Sequence, residues 1–300
     1  MMNATDLSAA AGRTGADAPG GATPVLRGTL PFRTELRRQA GRRRTQLALG
    51  FMALLPVVVL IAFKINRSED GRDGNGDFSQ FASLATSSGM NFALFTLLVS
   101  AGFLLVVVVA LFCGDTVAGE ASWGSLRYLL AIPVPRSRLL AVKLLVALAS
   151  SAAALLLLTG VALAAGTAAY GWHPLRAPLG GELTGAAGPL RLLAVLGYIA
   201  VTLLVVGSLA FLLSVSTDAP LGAVGGSVLL VIVSSILDQI TALGDLRTWL
   251  PTHFNDAWLG LLSNPPQVDD VVKGCVSALV YATVFLSVAW WRFLRKDIVS

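Results

Sequence analysis

The residues that could do chemistry in this sequence are few and far apart. Its only two histidines are His173 and His253, and no cluster of His with Glu, Asp or Cys has the spacing of a metal site. No nucleophile has an evident base. An ATP site would need a G-x-x-x-x-G-K-[ST] run, and neither Lys143 nor Lys273 follows one. We therefore predict that this chain is not an enzyme and carries no catalytic residue, metal site or cofactor of its own.

One segment has the residue spacing of a helix that binds a partner or a membrane. It reads CGDTVAGEASWGSLRYLLAIPVPRSRLLAVKLL. Apolar side chains recur there on one helical face, at Trp123, Leu126, Leu129 and Leu130. Pro133 and Pro135 end that helix, and Arg136 follows at once. A short amphipathic helix of this kind can lie on a membrane surface or pack into the groove of a partner.

The composition indicates a membrane protein. The 300 residues are 55% hydrophobic and 13% charged, with a mean hydropathy of +0.74, whereas soluble domains carry about 25% charged residues. The net charge of +5 could suggest nucleic-acid binding. However, many of the Lys and Arg residues flank apolar stretches, where basic residues fix the orientation of membrane helices. We see no soluble basic module and predict no nucleic-acid partner.

Six apolar stretches approach the roughly 20 residues that cross about 30 Å of hydrocarbon. We predict an all-α polytopic membrane protein whose spans cover about residues 47–64, 91–112, 139–170, 190–214, 220–238 and 271–292. Most Lys and Arg residues then fall on the side of the two termini, so both termini are predicted to be cytoplasmic. Residues 1–29 are predicted to form a disordered tail, and residues 30–300 one six-span domain.

The predicted spans are nearly free of ionisable groups. The charged residues inside these bounds all lie within about a turn of a span end: Lys64, Lys143, Arg191, Asp238, Lys273 and Arg292. We expect the side chain of Lys143, about a turn from the cytoplasmic end of its span, to reach the surface. Carriers driven by protons or sodium ions need charged groups at mid-depth. A secondary carrier is therefore the least favoured of the three functions that we consider for this chain.

Residues 30–46 form a basic segment before the first span. Phe32, Leu36 and Ala40 share one helical face, which predicts an amphipathic interfacial helix on the anionic cytoplasmic surface. The alternative is a simple positive-inside stop before the span. The basic residues in question are Arg37, Arg38, Arg42, Arg43 and Arg44.

Three further segments carry predictions. Residues 171–188 are rich in Gly and Pro and indicate an irregular outer loop. Residues 238–270 are apolar but too short to span, which predicts outer re-entrant or interfacial helices before the sixth span. The fifth span opens with Gly222, Gly225 and Gly226, small residues that let helices pack closely, either within the bundle or across a subunit interface.

The segment around Glu120 resembles the signature of type-2 ABC transporter permeases, roughly E-x-x-x-G-[TS]-L-x-x-L-L-x-x-P-[VI]-x-R followed by a Lys. The residues that match this pattern are Gly119, Glu120, Gly124, Ser125, Leu126, Leu129, Leu130, Pro133, Val134, Arg136 and Lys143. The six spans, the cytoplasmic termini and the WLPTHFNDAW segment extend the resemblance over most of the chain.

The resemblance implies a permease subunit of a bacterial ABC exporter, a multi-pass protein of the cell membrane. Its cytoplasmic coupling helix between spans 2 and 3 would bind a separate ATPase subunit, which holds ATP and Mg. A second permease copy or paralogue would complete the pathway for an amphipathic or lipid-like substrate, such as a drug, antibiotic or glycolipid. The expected contact residues are Glu120, Trp123, Gly124, Leu126, Arg127, Leu129, Pro133 and Arg136. The main alternative is a non-transporting sensor or assembly factor that binds a partner through the same helix.

Overall fold

The computed structural model describes residues 32–66, 83–122, 135–177, 182–183 and 185–295. In chain order its elements are α1 (Phe32–Ala40), α2 (Arg43–Asn66), α3 (Gly89–Ala101), α4 (Leu104–Ser122), α5 (Arg136–Tyr170), β1 (Leu175–Arg176), β2 (Glu182–Leu183), α6 (Ala187–Ser216), α7 (Pro220–Asp238), two 3₁₀ helices (Thr241–Trp249 and Ala257–Leu262) and α8 (Asp269–Arg295). Six of the described helices, α2 and α4 to α8, are long and apolar enough to cross a membrane. The prediction of a mostly helical chain with six helices of spanning length is confirmed.

The predicted second span is not one regular helix. The apolar stretch is divided into α3 and α4 by a break at Gly102 and Phe103. Two hydroxyls in α3 bond the carbonyl four residues back, Thr96 to Phe92 at 2.9 Å and Ser100 to Thr96 at 2.6 Å. Such bonds bend helices, and a glycine directly after them has poor helix propensity. The prediction of a continuous span over residues 91–112 was therefore wrong.

Helix α4 also continues beyond the predicted end of that span, as far as Ser122. It is the most buried of the long helices and packs against α5, α6 and α7. Close approach depends on glycines, because Gly114 lies against Val224 of α7 and Gly207 of α6 lies against Cys113. By contrast, only 11% and 17% of the most apolar parts of α2 and α8 are buried, which suits helices that face lipid.

The helices alternate in direction along the bundle. Helix α4 ends where α2 and α5 begin, because Asp115 of α4 contacts Arg44 of α2 and Glu120 of α4 contacts Lys143 of α5. We call this the ionic end. Helix α8 begins at the opposite end, where Gly274 lies against Tyr198 of α6, and therefore finishes at the ionic end.

The basic segment before the first long helix is two elements rather than one. Helix α1 ends at Ala40, residues 41 and 42 form a turn, and Arg43 and Arg44 are the first residues of α2. The prediction of one interfacial helix over residues 30–46 was therefore too long. Gly41 lies at the break, where its low helix propensity favours termination. Helix α1 packs mainly on α5.

The opposite end is built from the hairpin and the two 3₁₀ helices. The antiparallel pair β1–β2 lies within the segment predicted to be irregular, and the Asn91 side chain bonds both the N–H and the carbonyl of Arg176. The second 3₁₀ helix packs against α6 and α8 and its Trp258 is buried, whereas Trp249 of the first is exposed. Short helices before α8 were predicted, and their depth in a membrane stays a prediction.

Candidate functional site

Seven charged side chains meet at the ionic end, and we call them the ionic cluster. They come from α1, the α1–α2 turn, the first turn of α2, the last part of α4 and the second turn of α5. The three acids are Glu35, Asp115 and Glu120, and the four bases are Arg38, Arg42, Arg44 and Lys143.

The most buried part of the cluster is the ion pair between Glu120 and Lys143. The Lys143 Nζ lies 2.5 Å from Glu120 Oε2, and the two side chains are only 4% and 3% exposed. Helix α1 closes over this pair, because Arg38 bonds Glu120 Oε1 and Glu35 Oε1 lies 3.7 Å from Lys143 Nζ. Glu35 and Arg38 also pair with each other along α1, at 3.2 Å. One glutamate of α4 therefore holds both α5 and α1.

A second acid, Asp115, connects α4 to the start of α2. Its Oδ1 accepts a bond from Arg44 Nη1 at 3.0 Å, and its Oδ2 accepts one from Arg42 Nη1 at 3.3 Å. Arg42 reaches towards Glu120 as well, at 3.9 Å. The Asp115 side chain is 9% exposed, whereas that of Arg44 is 60% exposed. This half of the cluster thus runs from the interior to the surface.

The energetics of the cluster indicate a role in positioning. Removing charges from water costs several kcal/mol per ion, so a buried pair adds little net stability compared with apolar residues of similar size. Four bases against three acids nearly neutralise the site, which is the condition for burying them. Because each acid has partners on more than one element, the cluster fixes how α1, α2, α4 and α5 meet.

Two small residues support the part of α4 that carries the acids. A Cβ on Gly119 would lie 2.7 Å from Asp115 Oδ1, so only glycine leaves space for that carboxylate beside its own helix. Just before Gly119, the N–H groups of Val117 and Ala118 donate hydrogen bonds to the buried Ser214 hydroxyl of α6, at 3.0 and 2.9 Å. Helix α4 is thereby held to α6 next to the cluster.

Replacing Gly119 with alanine is expected to displace the Asp115 carboxylate and to weaken its bonds to Arg42 and Arg44. The net loss of stability should be about 1 kcal/mol, since overpacking costs about 1–3 kcal/mol and alanine regains part of that as helix propensity. Unfolding of the purified protein in detergent measures the effect. Gly160→Ala is the control, because a Cβ there meets nothing within 4 Å. Equal stability of the two variants would contradict this account.

The residues expected at an ATPase contact divide into two groups. Glu120 and Arg136 are described, and Arg136 is exposed at the start of α5. Glu120 was expected to meet a partner, but its carboxylate is buried and engaged by α1 and α5. The others lie outside the described residues: Trp123, Gly124, Leu126, Arg127, Leu129 and Pro133.

The structure also locates the remaining predicted residues. Of the basic segment, Arg38, Arg42 and Arg44 join the cluster, whereas Arg37 and Arg43 are exposed. Of the α7 glycines, Gly226 lies against Leu213 of α6, while Gly222 and Gly225 are exposed.

The sequence analysis misplaced one member of the cluster and missed two others. Lys143 was expected to reach the surface and is instead buried. Asp115 and Glu35 were not singled out. A signal was available in the sequence. Residues Cys113 to Ser122 are mostly small and weakly apolar, which is compatible with a helix that continues past residue 112 and includes Asp115 and Glu120.

The fold and the cluster define a helical multi-pass membrane protein whose concentration of buried charge lies at one end of its long helices. Among the described residues, no group of three or more His, Cys, Asp or Glu side chains could hold a metal ion. The chain belongs to a family of proteins of unknown function, DUF2705, whose model matches residues 51–299. That match includes Asp115, Glu120 and Lys143 but begins after α1. A comparison with curated proteins found no match.

Proposed function

We propose that this chain is the membrane permease subunit of an ATP-driven ABC exporter, with the ionic end and both termini in the cytoplasm. It would work with a second permease copy or paralogue and with ATPase subunits that bind ATP and Mg. The observation that carries the proposal is the buried Glu120–Lys143 pair. Both residues belong to the permease-like motif, and they flank residues 123–134, the segment expected to contact the ATPase.

The ionic cluster supports a way for force to reach the membrane. A partner that moves residues 123–134 pulls on the end of α4 and the beginning of α5, which Glu120 and Lys143 hold together. Arg38 and Glu35 couple α1 to the same pair. Since α4 packs along α5, α6 and α7, a displacement at the ionic end is carried into the bundle. Glu120 acts in this scheme as a positioning residue rather than as a contact.

The proposed cargo is amphipathic or lipid-like, such as a drug, antibiotic or glycolipid. The long helices present apolar side chains along much of their length, and α7 exposes Leu221, Leu229 and Leu230 beside Gly222 and Gly225. In a dimer this face of α7 would lie against a second permease or line the pathway between the two bundles. Such a surface suits an apolar cargo better than an ion or a sugar.

Replacing Trp123 with alanine is expected to weaken ATPase binding by about tenfold or more, since a buried interface tryptophan is often worth over 1 kcal/mol. The measurement is affinity purification of the tagged chain in mild detergent, with quantification of the bound ATPase. Trp172→Ala is the matched control, because Trp172 is 60% exposed at the opposite end. Equal ATPase recovery with both variants would contradict the proposed contact.

Transport itself is tested in vesicles that contain the permease and its ATPase. ATP-dependent movement of an amphipathic dye, lost in the Trp123→Ala variant and kept in Trp172→Ala, is the expected result. ATPase binding without ATP-dependent movement of any candidate cargo would instead indicate the alternative, a sensor or assembly factor that uses the same helix.

A further inference from the structure

A cavity of about 430 Å³ opens beside the ionic cluster. Its wall carries four arginines, Arg38, Arg42, Arg43 and Arg44, and the carboxylates of Asp115 and Glu120. The arginines outnumber the acids two to one, so the cavity has a net positive charge. Guanidinium groups gathered around one space are suited to phosphate, because each can donate two parallel hydrogen bonds to its oxygens.

The cavity is not fully neutralised by its own acids. Asp115 takes bonds from Arg42 and Arg44, and Glu120 is shared by Arg38 and Lys143. Arg43 lines the same cavity and is exposed, and it has no acidic partner among the described residues. The guanidinium of Arg43 and the 60% exposed side chain of Arg44 can therefore donate hydrogen bonds to an added anion.

The helix that begins at Arg43 supplies an apolar surface directly beyond the cavity. Leu47, Phe51, Leu54 and Val58 follow Arg43 at intervals of three or four residues and therefore share its face of α2. All four are exposed, Leu47 by 74% and Phe51 by 51%. A ligand with its phosphate on Arg43 would thus have apolar side chains along the membrane-spanning part of α2 for its hydrocarbon chain.

We propose that this cavity is a binding site for the phosphate group of an anionic glycerophospholipid from the leaflet at the ionic end. Arg43 and Arg44 hold the phosphate, and the Leu47–Phe51 face of α2 holds an acyl chain. The exposed apolar side chains select a lipid over a soluble phosphate, which would gain nothing from them. The excess of arginines selects an anionic headgroup over a zwitterionic one. The bound lipid would seat α1 and the start of α2 at the membrane surface, whether or not the chain transports anything.

The test uses the full chain purified in a neutral detergent and titrated with phosphatidylglycerol, with bound lipid counted by native mass spectrometry. Phosphatidylcholine is the zwitterionic arm, and glycerol phosphate is the soluble arm. The variant is Arg43→Gln, which breaks no ion pair among the described residues. Arg292→Gln is the matched control, an exposed arginine near the end of α8, at the ionic end but outside the cavity.

We expect Arg43→Gln to weaken phosphatidylglycerol binding about fivefold, from the usual contribution of one arginine near an anionic membrane surface. Arg292→Gln should change it less than about twofold, because that arginine lies outside the cavity. The proposal is overturned by equal effects of the two variants, or by phosphatidylcholine binding as tightly as phosphatidylglycerol. Glycerol phosphate binding as tightly as the lipid would overturn it as well, since the ligand would then be a soluble phosphate.

Discussion

Replacing Lys143 with methionine is expected to lower the free energy of unfolding by about 3–5 kcal/mol, the usual cost of removing one partner from a buried ion pair. The side chain is 4% exposed, and its Nζ lies 2.5 Å from Glu120. Without it, Glu120 keeps its contacts with Arg38 and Arg42, but its Oε2 loses a charged donor while the side chain stays only 3% exposed. The measurement is denaturant unfolding of the purified protein in detergent or nanodiscs.

Lys273→Met is the matched control for this prediction. Lys273 pairs with Asp270 at 2.9 Å, but the two side chains are 61% and 66% exposed, and an exposed pair contributes only about 0–1 kcal/mol. The double variant Glu120→Gln with Lys143→Met removes both buried charges and should lose less stability than the sum of the two single variants. A Lys143→Met variant as stable as Lys273→Met would show that the pair is not buried as described.

The same variants separate stability from coupling. If the cluster transmits movement as proposed, the double variant should bind the proposed ATPase but support less ATP-dependent transport per folded molecule than the unmodified chain. A cluster that served folding alone would leave transport per folded molecule unchanged once stability is restored.

Much of the helical architecture could be predicted from the sequence. Helices α5 to α8 begin and end within one turn of the predicted spans, because charged residues, Gly and Pro mark the ends of each apolar stretch. The break between α3 and α4 could not be predicted in this way. Residues on both sides of Gly102 are apolar, and hydropathy does not report that Thr96 and Ser100 bond the backbone of their own helix.

The candidate site was predictable only in part. The motif around Glu120 includes two residues of the cluster, Glu120 and Lys143, but the sequence did not show that the Glu120 carboxylate points into the protein. Arg38 and Glu120 are separated by 82 residues, and six closely spaced arginines in residues 33–44 offer similar partners in sequence. Which of them faces Glu120 depends on the turn at Gly41, which ends α1 and starts α2 with a different helical phase. It depends as well on the packing of α1 on α5, which is a contact between segments far apart in the sequence.

Replacing Gly89 with alanine is the second substitution expected to have a large effect, a loss of about 3 kcal/mol at the upper end of the usual range for overpacking. A Cβ there would lie 2.6 Å from the Thr167 backbone nitrogen and 2.8 Å from its Cα. A flexible side chain could move aside, but backbone atoms of α5 cannot do so without displacing the helix. Gly89 also donates its N–H to the Gly171 carbonyl at 3.0 Å, a bond that the displacement would break.

Gly102→Ala is the matched control, since it stands just after the other end of α3, has ordinary helical backbone angles and would place its Cβ more than 4 Å from any neighbour. It should leave stability unchanged or raise it slightly. Denaturant unfolding of both variants in the same detergent makes the comparison. Equal stability would mean that α3 and α5 do not touch at Gly89, and the antiparallel packing of α3–α4 on α5, which brings Glu120 to Lys143, would lose its support at the opposite end.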